Sequence, residues 1–141
     1  MPYFLAKTDP DTYSMDDMER DQTTNWDGVH SHQAVNFIKT WQPGDLVFIY
    51  HSQGENSIVG LVEVTSLPEP DLTDERKICW YTKVRFVRKY EKSTQITLKQ
   101  IKESGLFNDW FLVRQGRLST MSVPDSFVKW AKEQGLDVEK E

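Results

Sequence analysis

The chain has 141 residues, 38% of them hydrophobic and 12% aromatic, so it can bury the core of one domain but is too short for two. Its 17 basic and 22 acidic residues give a formal charge of -5, which argues against gripping long phosphate backbones by bulk electrostatics. One cysteine, Cys79, excludes an intrachain disulfide and a multi-cysteine zinc site, and no stretch has the length of a membrane span. We expect a single domain over residues 1–141, cytoplasmic or, in a eukaryote, nuclear.

The N-terminal part begins with a strand and a short helix. Residues 3–7 form an apolar-aromatic run that Pro10 brings to an end, as expected of a strand leaving its sheet. Ser14 and Asp17 have the spacing of a helix N-terminus, in which the serine caps free amides and the acid favours the positive helix end. We therefore predict a helix from Ser14 to about Arg20.

A second helix and a hairpin follow. The helix starts near Ser31, and its apolar stripe has the helical period: Ala34, Phe37, Ile38 and Trp41. Residues 46–50 are almost continuously apolar, which predicts a strand covered on both faces, and polar His51 and Ser52 stand at its end. A turn over residues 53–56 and a returning strand over residues 57–64 complete the hairpin.

The C-terminal half contains one long strand and two helices. Residues 78–87 alternate, which predicts a strand with one dry face. A short helix is expected from Thr97 to residue 103, ended by Gly105, and the apolar residues 106–113 lead to a turn and short strand over residues 115–119. The last helix opens at residues 122–125 and stops at Gly135; the charged tail after about residue 136 is expected to be frayed or disordered.

Strands outnumber helices in this order, and the helices interrupt the strands without alternating with them. The pattern therefore predicts an α+β fold around a small curled sheet or barrel. Basic residues concentrate in the central stretch, which is compatible with a local basic face: Arg76, Lys77, Lys83, Arg85, Arg88, Lys89 and Lys92.

Recognition-type side chains crowd into residues 25–36: a tryptophan, a carboxylate, two imidazoles and two carboxamides. Buried polar groups cost free energy without partners, so this cluster indicates either a pocket for a polar ligand or a solvated loop. A site that binds a planar heterocycle needs aromatic rings for stacking, short hydrogen-bonding groups for the edge and an arginine beside it, and this sequence contains all three.

Other chemistries fit the residues less well. A metal site from His30, His32 and His51 is disfavoured because residues two apart at a helix start diverge. A hydrolase with His51 as base and Ser52 or Ser119 as nucleophile lacks the nucleophile-elbow motif, and no phosphate-cradling glycine loop occurs. We expect no catalytic residue, metal or cofactor.

The sequence resembles the EVE domain family of the PUA-like superfamily across nearly its whole length. The matching residues are Lys7-Thr8-Asp9-Pro10; Trp26-Asp27-Gly28-Val29 with Gln33, Ala34 and Asn36; Gly44-Asp45; Phe48 with Tyr50-His51-Ser52; Val59-Gly60 with Val62 and Glu63; Val84-Arg85-Phe86-Val87; and Val113-Arg114-Gln115-Gly116-Arg117-Leu118-Ser119. The resemblance implies a pseudo-barrel of mixed, mostly antiparallel strands with helices packed around it. It also implies binding of a modified base, 5-methylcytosine or 5-hydroxymethylcytosine in DNA, with modified RNA as the rival ligand.

By the same resemblance, seven residues would line the pocket: Trp26, Tyr50, His51, Ser52, Arg117, Leu118 and Ser119. Gln33 and Asn36 would support it. Trp26 and Tyr50 would supply aromatic surface, and the imidazole and hydroxyl groups would read the base edge. The chain departs from the family at His30, Ser31, His32 and Val35, where the family usually has Arg-Asn-Tyr and a second arginine. Losing two cations is expected to weaken phosphate contacts, and His32 to make binding pH-dependent.

The leading hypothesis is a non-enzymatic module that flips or captures a modified nucleobase. Two hypotheses of other classes stay open: a small hydrolase acting on a modified nucleoside, and an interaction domain without a ligand. A monomer is expected, although Trp80 or Trp110 could serve a dimer face as well as the core.

Overall fold

The computed structural model describes residues 3–27, 31–54, 56–73 and 79–140. Its strands are β1 (Tyr3–Thr8), β2 (Thr23–Trp26), β3 (Leu46–His51), β4 (Ser57–Val64), β5 (Glu69–Pro70), β6 (Trp80–Lys89), β7 (Ile96–Thr97) and β8 (Thr120–Val123). Its helices are α1 (Met15–Asp21), α2 (His32–Ile38), α3 (Leu98–Ser104), α4 (Phe111–Arg114) and α5 (Asp125–Glu133). The predicted α+β class is confirmed.

The strands form a mixed sheet in the order β2-β6-β4-β3-β1-β8, with β5 beside β6 and β7 beside β4. Among the described strands, only β1 and β3 run parallel, with Tyr3 opposite Leu46, and the other pairs are antiparallel. Thus β2 and β8 stand at the two ends of the strand order. The exit of β1 and the strand β2 nevertheless line one cavity, so the sheet curls until its ends approach each other.

Helix α1 begins at the predicted capping box. The Ser14 hydroxyl accepts from the Asp17 N–H, and the Asp17 carboxylate accepts from the Ser14 N–H. Met15 of this helix packs onto Gly60 of β4, where an added Cβ would lie 2.5 Å from the Met15 Cε. The missing side chain at Gly60 lets α1 lie against the sheet, which fixes the start of the segment that leads to β2.

Aromatic side chains join α5 to the sheet and to α4. The Phe127 ring lies 4.6 Å from the Trp110 ring and 6.2 Å from the Phe48 ring on β3, centroid to centroid. Trp110 is buried, and Trp80 is half-buried beneath the Lys39 ammonium. Edge-to-face and tilted ring pairs of this kind add to the free energy of burial. Trp110 thus belongs to the core.

Several features differ from the sequence predictions. Residues 23–26 form a strand that the sequence pattern does not predict. The short strand predicted within residues 115–119 is wrong, because the strand lies at residues 120–123, before α5 begins at Asp125. The tail expected to fray is packed, because Leu136 and Val138 are buried and the Tyr3 hydroxyl donates to the Val138 carbonyl at 2.8 Å. Within the described residues, no helix is both long and apolar enough to cross a membrane.

Candidate functional site

A cavity of about 630 Å³ lies between the exit of β1 and strand β2, and we call it the seam cavity. Among the described residues, its lining comes from β1 and the turn after it, from β2, and from the turn before β8: Lys7, Thr8, Asp9, Thr12, Tyr13, Thr24, Asn25, Trp26, Asp27 and Ser119. Its volume falls in the range of small-ligand sites. The curling of the sheet therefore creates a candidate binding site where its two ends meet.

The turn after β1 forms one fixed wall. The Thr8 hydroxyl donates to the Tyr13 carbonyl at 2.8 Å, and the Asp9 Oδ1 accepts from the Asp11 N–H at 2.9 Å. The Asp9 carbonyl accepts from the N–H groups of Thr12 and Tyr13, each at 2.9 Å. These bonds hold the hydroxyl and carboxylate groups of the wall in position, as binding sites require.

Lys7 lines the cavity and is fixed by backbone and side-chain contacts. Its backbone N–H donates to the Ser119 carbonyl at 2.8 Å, and its Nζ donates to the Gly116 carbonyl at 2.7 Å. The ammonium also lies 5.5 Å from the centre of the Tyr50 ring, a cation–π distance. Burial lowers the pKa of Lys7 and raises the pKa of Tyr50 to about 12, so the amine is held in a partly desolvated place.

Trp26 closes the opposite wall. It stands at the end of β2, opposite Thr82 of β6, and only 8% of its surface is exposed. Most of the ring therefore packs in the core, and a limited part reaches the cavity. Asp27 follows it and is exposed at the rim, so the cavity carries carboxylates as well as the Lys7 ammonium.

The structure brings together only part of the predicted site. Trp26 and Ser119 line the seam cavity, and the Tyr50 ring lies under Lys7. Gln33, Asn36 and Arg117 are exposed, and Leu118 is buried in the core.

His51 faces a different cavity, of about 580 Å³, where its Nε2 accepts from the Met15 N–H at 3.2 Å. Ser52 supports the seam cavity from behind, because its N–H donates to the Thr8 carbonyl at 3.0 Å. Consecutive strand side chains point to opposite faces, so Tyr50 and His51 cannot both face one pocket.

Eight cavity residues were not predicted as site residues: Lys7, Thr8, Asp9, Thr12, Tyr13, Thr24, Asn25 and Asp27. A signal for some of them was present, since Lys7, Thr8 and Asp9 belong to the first block that resembles the family. The pattern of that block indicates the end of a strand and gives no sign that its side chains face a cavity.

The family departures have partial structural accounts. The Ser31 hydroxyl accepts from the Ala34 N–H at 3.0 Å and so caps α2. Val35, at a position where the family usually has arginine, is buried and packs in the core, whereas His32 is exposed. His30 lies outside the described residues, together with Gly28 and Val29 of the same block.

The predicted basic face is largely neutralised. Basic residues of β6 form ion pairs with acidic residues of α1, β4 and the C-terminal segment: Lys89 with Asp16 and Glu19, Arg85 with Glu63, and Arg88 with Asp137. Arg76 and Lys77 lie outside the described residues. Three of the four basic residues of β6 are therefore paired within the fold, and the fourth, Lys83, is exposed.

Comparison with known proteins gives one family. The family model of the EVE domain matches residues 2–133. Thymocyte nuclear protein 1 of Rattus norvegicus is 34% identical over 87 residues, which cover 53% of this chain and 38% of the rat protein. The chain therefore matches well under half the length of this curated relative.

Solved structures share the fold over nearly the whole chain. A crystal structure of a protein from Agrobacterium tumefaciens has a TM-score of 0.85 and 28% identity, covering 100% of this chain and 98% of that one. The human THYN1 protein, solved in complex with DNA containing 5-methylcytosine, has a TM-score of 0.83 and 23% identity, covering 97% and 99%.

Proposed function

Because this chain belongs to the EVE domain family, we propose that it is a non-enzymatic module that binds DNA carrying a modified cytosine and captures the base in the seam cavity. The observation that carries the proposal is the composition of this cavity. It combines an aromatic edge, a half-buried ammonium and short hydrogen-bonding groups on rigid walls. The human THYN1 protein, which shares the fold, was solved with 5-methylcytosine-containing DNA.

Charge favours recognition by the cavity over recognition by phosphates. The formal charge of -5 and the ion pairs of Arg85, Arg88 and Lys89 leave little free positive charge on β6. Each neutralised phosphate makes DNA binding more salt-dependent, so a protein with few phosphate contacts has a shallow salt dependence. A reader of this kind must derive most of its affinity from the captured base.

The predicted site residues take different parts in this proposal. Trp26 and Ser119 contact the base, and Tyr50 supports Lys7 from below. Exposed Arg117, Gln33 and Asn36 are assigned to flanking nucleotides outside the cavity. Ser52 holds the β1 exit and His51 holds α1, while Leu118 packs beneath the turn before β8. The protein acts as a monomer in this scheme.

The hydrolase alternative receives little support. His51 faces the cavity beside α1, whereas Ser119 lines the seam cavity, so this base and this nucleophile are not brought together. The other proposed nucleophile, the Ser52 hydroxyl, donates to the Thr8 carbonyl at 3.4 Å. A nucleophilic serine needs a base within hydrogen-bond reach. Modified RNA remains the alternative ligand and is included in the test.

The test is a tryptophan-fluorescence titration with short DNA and RNA oligonucleotides carrying cytosine, 5-methylcytosine or 5-hydroxymethylcytosine, at two salt concentrations. We expect a preference for modified DNA that largely survives added salt. Binding that ignores the modification and disappears with salt would contradict the proposal, and preference for modified RNA would select the alternative.

A pair of serine variants locates the binding. Ser119→Tyr fills the seam cavity, and we expect it to lower the affinity for modified DNA about tenfold or more, the order of one lost base-stacking contact. Ser122→Tyr adds the same ring to an exposed position of β8 and should leave affinity unchanged. Equal affinity of the two variants would place binding outside the cavity.

A further inference from the structure

The Lys7 ammonium retains hydrogen-bonding capacity toward the seam cavity. An ammonium has three N–H donors, and within the described part of the chain one of them is used, by the Gly116 carbonyl at 2.7 Å. Lys7 also lines the cavity and rests on the Tyr50 ring, so its position is fixed from below. The cavity therefore contains a cationic donor whose orientation is set before a ligand arrives.

Carboxylates lie in the same cavity. Asp9 is part of the turn after β1, and its Oδ1 already accepts from the Asp11 N–H. Asp27 is exposed at the rim, next to Trp26. A site with a cationic donor and an anionic acceptor fits a planar ligand that presents an acceptor and a donor along one edge.

Cytosine and thymine both carry donors and acceptors along the pairing edge, but the first two groups stand in opposite order. Along its pairing edge, cytosine presents the N4 amino donor and then the acceptors N3 and O2, and carboxylates accept from N4 in protein–DNA contacts. Thymine presents the O4 acceptor and the N3–H donor, so the same two groups would face it with the wrong polarity. The 5-methyl group is common to 5-methylcytosine and thymine and cannot distinguish them.

We propose that Lys7 is the residue that determines specificity for the cytosine ring: its ammonium donates to the N3 and O2 side of the base, and Asp27 accepts from the N4 amino group. This inference depends on the proposed capture of a base in the seam cavity. Recognition is then divided, because Trp26 and the adjoining surface meet the 5-methyl group while Lys7 and Asp27 read the edge.

Desolvation of Lys7 strengthens this role. Burial lowers the pKa of the amine, because the charged form loses part of its water shell in the cavity. Cytosine offers the ammonium two acceptors at this place, N3 and O2, whereas thymine offers O2 and turns its N3–H donor toward the ammonium. Two donors that face each other satisfy neither group, so thymine is disfavoured.

The experiment compares single-stranded oligonucleotides that differ at one central base: cytosine, 5-methylcytosine or thymine. Calorimetric titration of the wild-type protein should show about a tenfold or larger preference for 5-methylcytosine over thymine, the discrimination typical of a paired base contact. Lys7→Met should bring the affinities for 5-methylcytosine and thymine close to each other while the preference for 5-methylcytosine over cytosine remains. Lys129→Met, at an exposed position of α5, is the matched control and should keep all three affinities.

Asp27→Asn provides a variant that is independent of the folding of Lys7→Met, because Asp27 is exposed. Its amide can donate to the thymine O4, so the preference for 5-methylcytosine over thymine should fall severalfold. If the wild type prefers 5-methylcytosine to cytosine but Lys7→Met and Asp27→Asn retain discrimination against thymine, the role of Lys7 is refuted and the reader function stands. If the wild type does not distinguish 5-methylcytosine from cytosine, the proposed function fails, and this inference with it.

Discussion

The segment after α5 should be essential for stability, although its composition suggests a frayed end. Leu136 and Val138 are 3% and 1% exposed, and two distant tyrosines, Tyr3 of β1 and Tyr90 directly after β6, are bonded to this segment. The Tyr3 hydroxyl donates to the Val138 carbonyl at 2.8 Å, and the Tyr90 hydroxyl donates to the Asp137 carbonyl at 2.6 Å. We expect a chain that ends at Gly135 to be strongly destabilised.

The magnitude follows from these contacts. Each buried aliphatic side chain contributes about 1.5–3 kcal/mol, and each tyrosine hydroxyl that loses its acceptor adds about 1 kcal/mol or more. The truncation should therefore lower the free energy of unfolding by about 5 kcal/mol or more, a large share of the roughly 5–15 kcal/mol typical of a domain.

Urea unfolding, followed by tryptophan fluorescence, measures this loss as a decrease in the midpoint. Val138→Ala in the full chain should lower the stability by about 2 kcal/mol, the lower end for truncating a buried aliphatic side chain. Glu139→Ala removes only an exposed ion pair with Lys132 and should change stability by less than about 1 kcal/mol. A truncated chain with the midpoint of the full chain would refute the reasoning.

Three further predictions concern single side chains. Burial raises the pKa of Tyr50 to about 12, above the value of about 10 in an unfolded chain, so the stability that Tyr50 provides is complete below about pH 10 and is lost as pH rises through about 12. The ultraviolet titration curve of the wild type, after subtraction of the curve of Tyr50→Phe, should show that Tyr50 ionises late. A difference curve with its midpoint near pH 10 would contradict this prediction. Gly60→Ala forces a Cβ against Met15 and should lower the free energy of unfolding by about 1–3 kcal/mol, measured by urea unfolding. An unchanged urea midpoint would show that the methionine finds space elsewhere and would disprove the tight packing. Ser14→Ala removes the cap of α1 and should cost about 1 kcal/mol by the same measurement, whereas Ser14→Asp should retain most of the stability; equal loss in both would argue against the cap.

Elements with local signals were predictable from the sequence. Ser14 and Thr97 each form a capping box, in which the hydroxyl accepts from the N–H three residues later and that residue's side chain accepts from the N–H of the cap. Gly105 ends α3 with a φ of 69°. In contrast, residues 23–26 read Thr-Thr-Asn-Trp and have neither apolar alternation nor length. They form a strand because they pair with β6, a contact that no local pattern shows.

The site was predicted in part for a similar reason. Lys7 is a cavity residue because its ammonium meets the Gly116 carbonyl, 109 positions away in the chain. The family resemblance predicts Tyr50 and His51 as residues of one pocket, but strand geometry sends these neighbours to opposite sides. The pairing of β3 with β4 also shifts register between Ile49 and Tyr50, which redirects the end of the strand. The sequence identifies the blocks that resemble the family, but the register of the paired strands decides which of their side chains meet.

The position of the seam cavity couples ligand binding to the stability of an edge strand. Its walls come from β1 and from β2, and β2 is hydrogen-bonded within the described sheet to β6 alone. A captured base would therefore contact both margins of the sheet and favour their closed arrangement. Local opening of an edge strand costs less than global unfolding, so bound ligand should slow the hydrogen exchange of the β2 amides.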